Sequence, residues 1–138
     1  PKFSIQKETF KANELINSRS LYVTTKRFVN YDGKIIIGYM GFYPDGRMIV
    51  DDTWEKEMNQ TLNEINSFNT ATSIGYYTTN GNRIKMEYFL PFGGGQYLTR
   101  EGILKKDTII LIEEVSRLFR EKARSDTLVK SNYPLQDD

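Results

Sequence analysis

The sequence predicts an all-β fold, an antiparallel meander that closes into a barrel and carries one inserted helix. Three observations point there. Asp32-Gly33, Pro44-Asp45-Gly46, Asn80-Gly81-Asn82 and Lys105-Lys106-Asp107 each separate two stretches rich in Tyr, Ile, Val, Phe and Thr. Tight hairpin turns need φ > 0 at their central residues, which Gly, Asn and Asp adopt most cheaply. Strands joined so closely are antiparallel neighbours, and a run of them closes most economically as a meander barrel. Finally, Ile84, Met86, Tyr88 and Leu90 alternate with Arg83, Lys85 and Glu87, the period of a strand with one face inward.

Taken in order, residues 1–19 read as a loosely ordered lead-in with one helical turn near Ala12–Ile16. The first strand spans about Leu21–Val29 and the second Lys34–Tyr43, where Gly38 and Gly41 suggest a bulge or a sharp barrel corner. After Arg47–Val50 the cadence breaks. Asp52, with Glu55 three residues on, has the form of a capping box, and Met58, Leu62 and Ile65 continue a stripe begun by Trp54. This predicts a helix over Asp52–Phe68, laid across the barrel mouth so that the stripe has an apolar surface to cover. The meander resumes with Ile74–Thr79, Arg83–Leu90, the glycine-rich loop 91–95, Gln96–Leu104 and Thr108–Val115. Two readings of the tail stay open: a strand within Leu118–Lys130 that closes the sheet, or a helix over Glu113–Arg124 beside the barrel.

With 138 residues the chain is expected to form a single domain, 1–138. Nineteen basic residues offset 18 acidic ones, so no global field recruits nucleic acid or an anionic membrane. The chain has no Cys and no His, which excludes thiol nucleophiles, disulfides, Cys/His metal sites and the usual Ser-His base. Asp51-Asp52, Glu113-Glu114 and Asp137-Asp138 are adjacent acidic pairs, not an acid and base facing one gap. The expectation is therefore a protein that is not an enzyme and needs no cofactor. Gly93-Gly94-Gly95 lacks the Gly-Lys-Ser/Thr of a phosphate loop and reads as a hairpin loop or lid. The cluster Arg117, Arg120, Lys122 and Arg124 is interleaved with Glu121 and Asp126 and reads as a solvated face. Asn59-Gln60-Thr61 fits a glycosylation sequon, a short pattern that often arises by chance.

Phe42-Tyr43-Pro44-Asp45-Gly46-Arg47, Ile74-Gly75-Tyr76-Tyr77 through Asn80-Gly81-Asn82-Arg83-Ile84, and Gly102 through Leu111 resemble the small bacterial lipocalin-like proteins, part of the calycin group of meander barrels. The likeness covers about residues 20–130. The family's early Gly-x-Trp is missing, with Ser20-Leu21-Tyr22 near where it would fall, and the sole tryptophan, Trp54, lies elsewhere. The resemblance implies a barrel that holds a small apolar or amphipathic ligand. It also implies a cell-envelope or secreted location, with an acylated cysteine as the anchor in many members. A chain beginning after such a cysteine would read like this one.

Small barrels line their interior with alternate residues of each strand. Tyr39, Tyr76, Met86, Tyr88 and Tyr97 lie on strands with an apolar face, and Trp54 is placed to close one mouth. These six are the candidate ligand-binding residues. The competing reading is that they fill a solid core, leaving an envelope protein-interaction module whose helix and glycine-rich loop meet a partner.

Overall fold

The computed structural model describes residues 13–64, 67–91, 94–112 and 126–136. Among the described residues nine strands follow one another: β1 (Ser20–Thr24), β2 (Phe28–Val29), β3 (Ile35–Phe42), β4 (Arg47–Trp54), β5 (Ser73–Asn80), β6 (Arg83–Leu90), β7 (Gln96–Lys105), β8 (Thr108–Leu111) and β9 (Asp126–Pro134). Every pairing is antiparallel, and β1 bonds to both β9 and β3. Eight strands thus close a barrel, with the two-residue β2 appended to β3 outside the ring. Closure removes the unpaired edges that an open sheet would present.

Turn chemistry sorts the two ends. At one end β3–β4, β5–β6 and β7–β8 are joined tightly, with positive φ at Gly46 (93°), Gly81 (60°) and Asp107 (59°). The long connections, from β1 to β3, β4 to β5 and β8 to β9, all lie at the opposite end, as does the shorter β6–β7 loop. The tight end is packed shut. Phe42 sits edge-on to Tyr22 and Tyr77, with ring centroids 5.7 and 5.1 Å away. The Tyr77 hydroxyl donates to the Tyr43 carbonyl at 2.6 Å, and the Asn17 amide donates to the Tyr22 hydroxyl at 2.9 Å. Burial pushes both phenols above their ordinary pKa. The end of the lead-in is pinned here as well, Ile16 entering the core and the Asn13 amide group donating to the Gly81 carbonyl. Residues 1–12 lie outside the described part.

Alternation divides the apolar residues into two bodies. Tyr22, Met40, Phe42, Met48, Tyr77, Ile84, Met86, Tyr88, Leu104, Ile109, Leu111 and Leu128 point inward and form the barrel core. Leu21, Tyr39, Tyr43, Ile49 and Leu135 point outward and gather around Leu62 of the helix α1 (Met58–Glu64). Fully burying one such aliphatic side chain stabilises by about 1.5–3 kcal/mol, so this outer face needs a cover. That need corrects the expected helix. Asp52, Thr53 and Trp54 complete β4 rather than opening a helix, since pairing with β3 continues from Phe42 opposite Met48 to Ile36 opposite Trp54. A 3-10 turn (Glu55–Glu57) with no side-chain cap comes next, and α1 begins only at Met58. The helix lies on the outer wall, not across the mouth, tied by the Tyr133 hydroxyl to Asn59 Oδ1 at 2.9 Å and by Gln136 to the Asn63 carbonyl. Ile65 falls outside the described residues.

Smaller corrections follow from close contacts. The first strand is interrupted after Thr24 and resumes only as β2. β3 has no bulge, because its register with β4 is unbroken; the register shift lies in β1, between Ser20 and Tyr22. A Cβ on Gly41 would meet Leu135 at 2.5 Å, so that glycine is set by packing. The eighth strand ends at Leu111, and β9 overlaps the expected closing strand at Asp126–Lys130 but runs on to Pro134. Residues 113–125, with the helix reading of the tail, the first part of the strand reading and the arginine cluster, lie outside the described part.

Candidate functional site

A cavity of about 430 Å³ opens at the end that carries the long connections. Its wall thins there because β4 pairs with β5 only through Arg47–Val50, leaving Asp51–Trp54 to stand above the ladder. Met40, Val50, Tyr88, Leu90, Leu111 and Leu128 give it a largely apolar lining. Thr24, Asp52, Ser73, Arg100 and Asp126 add polar groups from five different strands.

The acidic pair at the mouth is split by the pleat of β4. Asp51 turns outward: its carboxylate accepts from the Asp52 amide at 2.8 Å and the Thr72 amide at 3.1 Å, and it also bonds the Tyr39 hydroxyl. Burial first, then the charges of Asp51 and Asp52, push Tyr39 well above its ordinary value. Asp52 stands on the inward register, opposite Gly38. Burial by the surrounding chain, followed by the Asp51 charge, lifts its carboxyl above the ordinary 3.8, although much of the residue still reaches solvent. A raised carboxyl favours folding fully only below its unfolded pKa, and that contribution is lost as pH climbs through the folded value. Asp52→Asn should therefore melt higher than the native chain at neutral pH, and the gap should close as pH falls toward 3.8. A gap independent of pH across that window would contradict the burial of this carboxyl.

Of the six candidate residues, the structure brings Tyr39 and Tyr88 to the cavity wall, Tyr39 from the outer face where the wall opens. Met86 points inward but is fully buried in the core. Tyr76 and Tyr97 occupy the outer face, Tyr76 opposite Arg47 and Tyr97 packed against Phe89, the ring centroids 5.1 Å apart and the planes tilted by 55°. Trp54 stands at the lip, its ring under the Lys34 ammonium at 3.3 Å, lining a separate hollow of about 400 Å³ with Ile35 and Glu57. Sequence reasoning missed Asp52, Ser73, Arg100 and Asp126. One signal was there to be used: Arg100 shares a face with Leu98, Gly102 and Leu104, and Asp126 shares one with Leu128. A charged residue on an apolar strand face marks a place where the interior is polar.

Among the described residues no group of three or more Asp or Glu could hold a metal ion. No known protein family, no curated protein and no solved structure matches this chain.

Proposed function

We propose that the barrel binds a small apolar or amphipathic molecule in its interior. The observation that carries this reading is the cavity of about 430 Å³, whose largely apolar lining of Met40, Val50, Tyr88, Leu90, Leu111 and Leu128 is set with a few polar groups. Small-molecule sites have this form, at roughly 300–1,000 Å³, with a few polar groups that fix orientation. The fold supports the same reading: a barrel of eight strands is just wide enough to enclose one small ligand. From the likeness to bacterial lipocalin-like proteins the reading takes its setting, the cell envelope or the outside of the cell.

Calorimetric titration with decanol, below its aqueous solubility limit, tests the proposal. Saturable binding is expected, and Val50→Trp, which places an indole in the cavity, should abolish it without changing the circular dichroism spectrum. Absent binding to alcohols, amines and acids of this length would remove the reading. A second reading, an envelope protein-interaction module, draws on exposed apolar side chains near the lip: Tyr31 is 98 % exposed, Val29 69 % and Trp54 40 %. It expects no saturable titration with any amphiphile.

A further inference from the structure

The charged groups of the cavity differ in what the fold already asks of them. Asp51 is engaged by two backbone amides and by Tyr39. Asp126 Oδ1 accepts from the Thr127 amide at 2.7 Å and the Thr25 hydroxyl at 3.4 Å. Arg100, whose Nε is shut off from solvent, is engaged with the surrounding chain. Asp52 is different. It donates its amide to Asp51, but among the described residues no donor reaches its carboxylate.

Asp52 lines the cavity and is exposed at its mouth. Gly38 stands opposite it on β3 and brings no side chain of its own, and Thr24 of β1 fills the space over that glycine, its Cγ2 lying 3.2 Å from where a Cβ would stand. The next inward pair along the same ladder is Met40 opposite Val50, and both line the cavity. A molecule entering at the mouth on this side of the barrel therefore meets the Asp52 carboxylate and then Met40 and Val50. A carboxylate without a donor gains most from a cationic donor, because the attraction of opposite charges adds to the hydrogen bond that a neutral hydroxyl could also make.

We infer that the ligand is an amphiphile whose head is a protonated amine, seated on Asp52, with its apolar chain running inward over Val50 and Met40. This rests on the cavity reading given above and adds the chemistry of the head. A carboxylate head would be repelled by Asp51, Asp52 and Asp126, against the single guanidinium of Arg100. Because the fold already holds the Asp52 carboxyl above its ordinary pKa, a bound cation also relieves a charge that the site accommodates poorly.

Decylamine, decanol and decanoate, matched in chain length, distinguish head from chain when titrated into the native protein and Asp52→Asn at neutral pH. The amine should bind the native protein about fivefold tighter than the alcohol, the factor expected of an ion pair at a partly exposed carboxylate. Decanoate should bind weakest. In Asp52→Asn the amine should fall to the affinity of the alcohol. Decanoate binding as tightly as the amine, or an amine preference that survives in Asp52→Asn, would overturn the inference while leaving the cavity reading intact. If none of the three binds, both fall together.

Discussion

Gly75→Ala should cost about 3 kcal/mol of stability, the upper part of the range for forcing extra volume into a packed interior. A Cβ there would lie 2.1 Å from the Glu87 carbonyl oxygen and 2.7 Å from the Tyr88 Cα. The obstacle is the backbone of the paired strand, so no side-chain rotation relieves it. Strands β5 and β6 would have to part where Gly75 faces Tyr88, beneath the cavity. Gly81→Ala is the comparator. It sits at φ +60° with no atom within 4 Å of the added carbon, so it carries only the left-handed backbone cost of about 1–2 kcal/mol. Urea denaturation of both variants should rank Gly75→Ala as clearly the worse. Equal midpoints would mean that the two strands are not held this closely.

Phe42→Ala should be at least as damaging, by about 3–5 kcal/mol, the usual range for emptying a buried aromatic site. Phe42 is fully buried and is gripped edge-on by Tyr22 and Tyr77. Neither phenol can collapse into the gap without breaking a bond, since the Tyr22 hydroxyl accepts from Asn17 and the Tyr77 hydroxyl donates to Tyr43. Phe89→Ala, on the outer wall against Tyr97, should cost far less. Comparable losses from the two would place the load-carrying core outside the barrel.

Turn chemistry made most of the barrel legible before any coordinates. Gly46, Gly81 and Asp107 occupy the left-handed region that the hairpins require, and Arg83–Leu90 is a strand with the expected bounds and inward face. The helix was harder to read because Asp52 and Glu55 imitate a capping box while β4 is still paired with β3. Local spacing cannot reveal a hydrogen-bond partner that is distant in sequence. The candidate site was legible only in part, for a related reason. Tyr76 and Tyr39 sit on strands that are apolar on both faces, since the outer face of β3 to β5 packs around α1 through Tyr39, Ile49 and Ile74. Where both faces are buried, composition does not say which one points inward. In β5 it is Tyr77, not its neighbour, that enters the barrel core.

The most direct test of the account is a crystal structure of the protein soaked with a decyl amphiphile brominated at its chain end, with bromine located by anomalous scattering. The account predicts one bromine inside the barrel, among Met40, Tyr88 and Leu128, beneath the mouth marked by Asp52. Bromine found only in the hollow beside Trp54 or on the outer wall, with the barrel interior empty, would contradict it.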